Sequence, residues 1–309
     1  MPRSLHITVL DCDTPVPNVY AERGLYSDIF ATLLRDAASK TPELSGVELR
    51  FSKYDSVRGE EPSAEELSNI DAIVITGSAA SAYDKAPWVG GVALLCKKIY
   101  ASYPSIRLFG SCFGHQILCH ALFSQPGENV VSKDTNGWEL GVHPVELSPE
   151  FLSHFGTVGS NPADPTQARF QFVHADHVVV PQLPEGLHSI GRSKHCALQG
   201  VWKKGRLLTY QGHAEFDSFI NGETLKVFGE PIWNEGFLNE SLQAVDQDDD
   251  ATWAATVMLK FFLETPLASA EIEGREEAQQ PLSSRTGIDG GILARLYHRC
   301  LEMVQHRPW

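Results

Sequence analysis

Short apolar runs alternate with longer segments of helical spacing in the first half of the chain. Four of these runs have the length and composition of buried strands, at 5–10, 47–54, 72–75 and 106–109. In segment 26–38 the apolar residues recur every three or four positions, and a proline at the start of segment 87–102 suits the first turn of a second helix. Alternation of this kind is typical of a parallel sheet with crossover helices, so the pattern predicts an α/β fold.

The pattern changes between about residues 129 and 210. Short strands are separated there by turns rich in glycine and proline, and the section ends in the apolar run 207–210. We interpret it as an antiparallel section. A further helix is expected after Asp250, because apolar residues then recur at helical spacing, at Trp253, Val257, Leu259 and Phe262.

The composition changes again after residue 264. Residues 268–285 are rich in Glu, Gln, Ser and Pro, which favours a linker that we assign to 265–286. Apolar residues at helical spacing between Ile292 and Val304 predict a C-terminal helical extension within 287–309. Residues 1–264 are then expected to form one main domain.

Charge and cysteine usage exclude several kinds of partner. Asp and Glu number 39 against 25 Lys and Arg, and the net charge of -14 would repel a nucleic-acid backbone. The chain has no run of about 18 apolar residues, and its first apolar run is too short for a secretion signal, so we expect neither membrane insertion nor export. The six cysteines are scattered without CxxC pairs, which favours reduced thiols in a cytoplasmic protein.

A turn of small residues around Cys112 is the strongest candidate for chemistry. The sequence Gly110-Ser111-Cys112-Phe113-Gly114 follows the strand at 106–109 and precedes a predicted helix at 115–122. A sharp turn in this position lifts one side chain above the sheet edge, as in a nucleophile elbow with Cys in place of Ser. The helix N-terminus favours a thiolate, and the N–H of Phe113 can face a developing oxyanion. A lone cysteine is more often a buried filler, so the interpretation depends on this context.

A second motif supplies the groups that a cysteine nucleophile needs. A thiol is mostly protonated at neutral pH, so it requires an imidazole and a group that orients the imidazole. His213 and Glu215 follow the run 207–210, and residues two apart on an extended segment point the same way. We therefore predict Cys112 as nucleophile, His213 as its base and Glu215 as the residue that orients His213. A His-x-Glu pair by itself is more often a surface ion pair.

These motifs resemble the class I glutamine amidotransferase family, whose members use Cys, His and Glu to free ammonia from glutamine. The likeness covers about 71–217 and is greatest to stand-alone members similar to the amidotransferase domain of GMP synthase, which include the plant gamma-glutamyl peptidases. It is carried by four stretches, at 73–84, 110–116, 136–141 and 173–178. The resemblance implies that 1–264 is a catalytic domain of this family, a flavodoxin-like three-layer sandwich with a mostly parallel central sheet.

The resemblance also assigns residues to the site. The backbone of Gly77 and Ser78 would complete an oxyanion hole with the N–H of Phe113. The glutamyl pocket would be lined by residues of the other stretches, namely Gln116, Trp138, His174 and Asp176. Asp176 is the candidate partner for a substrate ammonium, and Trp138 is equally consistent with a core position.

A metal site is the rival interpretation of the stretch 173–178. His174, Asp176 and His177 are all potential ligands. The chain lacks a conventional zinc spacing such as His-Glu-x-x-His, and 12 histidines produce neighbours by chance. We therefore expect no metal and no other cofactor.

The resemblance implies a cysteine-dependent hydrolase of gamma-glutamyl amide bonds that works through a glutamyl-thioester. Its substrate would be a glutathione conjugate or a glutamylated metabolite. The sequence shows neither a GxxxxGK[ST] loop nor a second large domain that would consume ammonia. The alternatives are a glutaminase subunit that supplies ammonia to a separate synthetase, and a non-catalytic or repurposed protein of the same fold. Aromatic residues after Glu215 are consistent either with a wide pocket or with core packing.

Overall fold

The structure is a computed structural model, and it describes residues 3–125, 128–160, 163–230 and 232–265. Almost all of the predicted linker 265–286 and the whole extension 287–309 lie outside the described residues, so these domain boundaries stay predictions. None of the described helices is long and apolar enough to cross a membrane.

In the first half of the chain, strands and helices alternate as the sequence predicted. The strands are β1 (Arg3–Asp11), β2 (Val47–Asp55), β3 (Ala72–Ile75), β4 (Arg107–Ser111), β5 (Val131–Lys133), β6 (Glu139–Leu147), β7 (Gln167–His174), β8 (Asp176–Val178), β9 (His188–Ser189), β10 (Gly191–Arg192), β11 (Val201–Lys203) and β12 (Leu207–Tyr210). The helices are α1 (Pro17–Arg23), α2 (Tyr26–Lys40), α3 (Ala64–Leu67), α4 (Pro87–Ser102), α5 (Phe113–Phe123), α6 (Pro149–Phe155), α7 (Ser218–Gly229), α8 (Glu235–Val245) and α9 (Ala251–Phe262). Short 3₁₀ helices occupy Pro42–Leu44 and Ser56–Arg58.

The central sheet has the order β2-β1-β3-β4-β12-β11-β9. Its first five strands are parallel, and β11 and β9 add an antiparallel edge. All four residues of β3 are buried, and they alternate between the two faces: Val74 packs with the residues of α2 and α9, and Ile75 with those of α4 and α5. A strand that is buried on both faces has no polar side, which explains its uniformly apolar sequence. The predicted three-layer sandwich with a mostly parallel sheet is confirmed.

One feature of the predicted antiparallel section is wrong. Its last run, β12, pairs in parallel with β4 and is antiparallel only to β11. Segment 112–206 is therefore the crossover between two neighbouring parallel strands, and the short strands are inserted into it. The local pattern of short strands and turns does not show which strand returns to the central sheet, because that pairing joins residues about a hundred positions apart. The consequence is that the end of β12 lies directly beside the end of β4.

The inserted segment forms two small sheets, one of order β10-β6-β7 and one of β5 with β8. A bridge between Gln171 of β7 and His213 ties the first of them to the end of the central sheet. Helices α6, α7 and α8 were not predicted. Each begins after a residue whose side chain accepts a hydrogen bond from the first turn, namely Ser148, Asp217 and Asn234, and such N-cap residues are a signal that the sequence does contain.

Candidate active site

Cys112 lies immediately after β4, at the carboxyl edge of the central sheet. Its φ is 49°, and among the described residues it is the one non-glycine residue with positive φ. Gly110 and Gly114 make this turn possible, because a Cβ at Gly110 would collide with the carbonyl of Gly114, and one at Gly114 would collide with the carbonyl of Ile75. Backbone strain at a site of this kind persists where the surrounding structure enforces it. The geometry is that of a nucleophile elbow.

Helix α5 starts at Phe113, two residues earlier than predicted, so Cys112 is its N-cap residue. The first-turn N–H groups of a helix have no partner within the helix, and they stabilise negative charge in front of them. The ring of Phe113 is fully buried and packs against Trp88 at 5.5 Å between ring centroids. Phe113 can therefore contribute to the site through its backbone N–H, and its role in an oxyanion hole remains a prediction.

His213 and Glu215 lie just beyond β12, which brings them to Cys112. The Nδ1 atom of His213 is 2.8 Å from Oε1 of Glu215, and both side chains are almost fully buried. The backbone N–H of His213 donates to the carbonyl of Gln171 at 2.8 Å, and its ring stacks on Phe216 at 3.9 Å. The Nε2 atom is buried and has no hydrogen-bond partner among the described residues. With Nδ1 directed to the carboxylate, Nε2 is the nitrogen left for proton transfer.

Glu215 and Cys112 change the pKa of His213. Burial disfavours the charged form of His213, but Glu215 and Cys112 outweigh that effect and raise the pKa of His213 to about 10. The four other described cysteines are also buried, and burial raises the pKa of each of their thiols: Cys12, Cys96, Cys119 and Cys196. Cys112 differs from these four in its position, on the elbow after β4 with the His213–Glu215 pair beside it.

The loop after β3 approaches the same point. A Cβ built at Gly77 would lie 3.0 Å from Cε1 of His213 and 3.8 Å from the Cβ of Cys112, so glycine fits the narrow gap. Asp13, which follows β1, accepts hydrogen bonds from the Ala79 N–H at 2.8 Å and from the Ser78 hydroxyl at 3.3 Å. Asp13 was not predicted from the sequence, although its position just past a parallel strand places it at this edge. The predicted oxyanion loop thus lies against the nucleophile, and its catalytic role remains a prediction.

A chain of hydrogen bonds runs from two side-chain amides to the sulfur of Cys112. Gln116 donates to the Gln211 side-chain oxygen at 3.1 Å and to the Asp176 carbonyl at 2.9 Å. Gln211 in turn donates to Sγ of Cys112 at 3.6 Å. Gln116 therefore bonds to protein groups that support the nucleophile, and its predicted role in lining the glutamyl pocket stays a prediction. Gln211 was not singled out in the sequence, although it lies two residues before His213.

Two of the predicted pocket residues have partners of their own. His174 directs Nε2 to Glu139 at 2.9 Å and Nδ1 to the carbonyl of Asp176 at 3.0 Å. The Asp176 carboxylate accepts hydrogen bonds from the hydroxyls of Ser81 at 2.5 Å and Tyr83 at 3.1 Å. His174 thus braces the chain that carries Asp176, and Asp176 ties this chain to the loop after β3.

Most of the predicted site residues border one cleft of about 500 Å³. The predicted residues Cys112, Gln116, Trp138, His174, Asp176 and His213 line it together with Gly77 and Ser78. Glu215 lies behind His213. The cleft is also lined by Tyr26 and Lys133, which were not predicted from the sequence. Phe216 and Phe228 line it as well, and they belong to the aromatic residues after Glu215 that the sequence left open between a pocket and the core. Trp138 also packs against Trp233 at 5.3 Å, so it is both a wall of the cleft and part of a hydrophobic cluster.

The described residues contain no group of three or more His, Cys, Asp or Glu side chains placed to hold a metal ion. His177, which belonged to the metal interpretation of the sequence, has its Nδ1 3.1 Å from the carboxylate of Asp134.

The chain is similar in sequence to glutamine amidotransferases. The profile of the family described as Glutamine amidotransferase class-I matches residues 38–226. A putative glutamine amidotransferase-like protein of Schizosaccharomyces pombe is 31% identical over 261 residues, which are 84% of this chain and 99% of that protein. Gamma-glutamyl peptidase 2 of Arabidopsis thaliana is 24% identical over 244 residues, which are 78% of this chain and 88% of the relative.

The fold is also similar to solved structures. A glutamine amidotransferase from Thermotoga maritima has a TM-score of 0.60 at 17% identity, with 84% of this chain and 98% of that chain covered. One from Methylobacillus flagellatus has a TM-score of 0.58 at 16% identity, with 87% and 98% covered. At these identities the likeness concerns the fold alone.

Proposed function

Because the chain belongs to the class I glutamine amidotransferase family, we propose that it is a cysteine-dependent hydrolase of gamma-glutamyl amide bonds that forms a glutamyl-thioester. The observation that carries this proposal is the arrangement of three side chains beside the cleft. Cys112 lies on a strained elbow, His213 faces it, and Glu215 holds the far nitrogen of His213 at 2.8 Å. This is the combination that nucleophilic catalysis by a thiolate requires.

In the proposed reaction the Cys112 thiolate attacks the delta-carbonyl of the gamma-glutamyl group. The carbonyl oxygen becomes an oxyanion that the N–H groups of Phe113 and of the Gly77/Ser78 loop stabilise. The protonated Nε2 of His213 donates its proton to the leaving amine as the C–N bond breaks. Neutral His213 then takes a proton from water, the resulting hydroxide attacks the thioester, and glutamate leaves as Cys112 returns to the thiolate.

The charges at the cleft suit an amino-acid end of the substrate. Asp13 and Asp176 contribute carboxylates, and Lys133 is a cation on its lining. A gamma-glutamyl group carries an α-ammonium and an α-carboxylate, which need one anionic and one cationic partner. We assign Asp176 to the ammonium, as the resemblance implies, and Lys133 to the carboxylate.

The expected substrate is a gamma-glutamyl conjugate rather than free glutamine. The volume of about 500 Å³ is within the range of clefts that hold drug-sized ligands, whereas the group that leaves glutamine is only ammonia. Phe228 and Trp138 border the cleft and can contact a larger leaving group. We expect a higher kcat/KM for an S-alkyl glutathione and a second gamma-glutamyl conjugate than for glutamine, measured by release of glutamate.

The alternative function predicts the opposite order. A glutaminase that supplies a separate synthetase would prefer glutamine, and its activity would rise when the partner synthetase is added. A clear preference for glutamine would therefore contradict the proposal. Mass spectrometry of the intact protein during turnover identifies the acyl group on Cys112 with either kind of substrate. The cytoplasmic location predicted from the sequence is part of the proposal and is tested by cell fractionation.

The pH dependence should report the charged state of His213. Its pKa is raised to about 10 by Glu215 and Cys112 in spite of burial, so the imidazolium that protonates the leaving amine persists at neutral pH. We expect kcat/KM to fall as the pH rises through about 10. Glu215→Gln removes a charge that raises this pKa, so the alkaline fall should move to lower pH. An alkaline limb at the same pH in both proteins would contradict this assignment.

A further inference from the structure

We propose that Ser111 is a positioning residue that holds the carboxylate of Glu215 in place for His213. Ser111 ends β4 and immediately precedes the nucleophile. Its hydroxyl lies 2.9 Å from Oε1 and 3.1 Å from Oε2 of Glu215. The inference concerns the same site as the proposed function, and its kinetic part depends on that function.

Ser111 and His213 are the two side chains that hydrogen-bond the Glu215 carboxylate within the described part of the chain. Ser111 is fully buried and Glu215 is 5% exposed, so water is a poor substitute for either partner. A buried carboxylate that loses a donor loses a strong, charge-assisted hydrogen bond. Without Ser111, His213 would be the one remaining partner, and the carboxylate could rotate away from Nδ1.

The elbow itself does not require a hydroxyl at position 111. The close approaches in the turn involve Gly110 and Gly114, where a Cβ would collide with backbone. Alanine is smaller than serine, so Ser111→Ala adds no atom to this turn. The serine hydroxyl is therefore explained by its contact with Glu215 better than by the turn.

The position of Ser111 links two parts of the site. Its register partner across the sheet is Tyr210, the last residue of β12, and the segment after β12 carries His213 and Glu215. The backbone turn thus fixes the position of Cys112. The side chain of the adjacent Ser111 fixes the position of Glu215, which orients His213. This arrangement makes the distance between Cys112 and His213 depend on the packing of β4 against β12.

The test is a double-mutant cycle between Ser111→Ala and Glu215→Gln. If Ser111 acts through Glu215, Ser111→Ala should lower kcat by about ten- to a hundredfold, the range for loss of a hydrogen bond to a charged group, with little change in KM. The same change made in Glu215→Gln should lower kcat far less. Thr8→Val is the matched control, because Thr8 is a fully buried hydroxyl on β1 that bonds to Ser52 at 2.7 Å, away from the cleft.

A second readout needs no substrate. The rate at which iodoacetamide alkylates Cys112 at pH 7, followed on the peptide that contains it, reports how reactive its sulfur is beside His213. We expect this rate to fall several-fold in Ser111→Ala and to remain unchanged in Thr8→Val.

The outcomes separate this inference from the proposed function. If the wild type hydrolyses none of the gamma-glutamyl substrates but Ser111→Ala still slows alkylation, the proposed function fails and the positioning role stands. If alkylation and kcat in Ser111→Ala equal those of the wild type, the positioning role is wrong whatever the substrate is. Equal losses from Ser111→Ala in the presence and absence of Glu215→Gln would also overturn it, since they would show a general structural effect.

Discussion

Cys112→Ser is expected to fold normally and to lose hydrolysis of gamma-glutamyl amides by several orders of magnitude. The reason is that the proposed reaction starts from a thiolate facing a charged imidazole, and a serine hydroxyl at the same position stays neutral. The small change in side-chain size leaves the elbow intact, because the steric limits of that turn are at Gly110 and Gly114. The measurement is steady-state release of glutamate, together with intact-protein mass spectrometry for the acyl-enzyme.

Cys119→Ser provides a control for the same chemical change elsewhere. Cys119 lies in α5, seven residues beyond the nucleophile, and is fully buried. It should retain activity near that of the wild type. Turnover of Cys112→Ser close to that of the wild type would remove Cys112 from the mechanism.

Replacement of His213, the base, should give the second largest loss of activity. His213→Ala eliminates the group that protonates the leaving amine and activates water, and we expect a loss of about a thousandfold or more. Glu215→Gln keeps the shape of the side chain and removes its charge, so it weakens the orientation of His213 without removing the proton carrier. We expect a smaller loss in Glu215→Gln than in His213→Ala, measured as kcat/KM on one gamma-glutamyl conjugate.

Thermal unfolding of His213→Ala and Glu215→Gln shows whether both variants are folded, which the comparison of their activities requires. His120→Ala is a suitable control, because His120 lies in α5 and bonds to Asn129 rather than to the triad. If Glu215→Gln is folded and as inactive as His213→Ala, the roles assigned to the two residues are wrong.

The chain's local pattern was enough to identify most of the central sheet. The four predicted strands of the first half appear within a few residues of their predicted bounds, and Ala72–Ile75 was predicted without error. Helices α2, α4 and α9 also match their predictions. These elements are set by local periodicity and by burial on one or both faces, which sequence patterns report directly. The elbow around Cys112 and the spacing of His213 and Glu215 could be predicted for the same reason, because each motif is confined to a few consecutive residues.

The tertiary structure decided which distant segments meet. Parallel pairing of β12 with β4 brings His213 to Cys112, about a hundred residues away, and no local pattern distinguishes that pairing from an antiparallel one. The same pairing places Ser111 against Glu215, and the end of β1 places Asp13 against the loop after β3. Gln211 and Phe216 became part of the site because their neighbours in the chain are fixed there. The sequence determined the reacting groups by their type and spacing. Their partners were decided by packing between strands far apart in the chain, because a hydrogen bond or ring contact of this kind depends on three-dimensional proximity and leaves no periodic trace in the sequence.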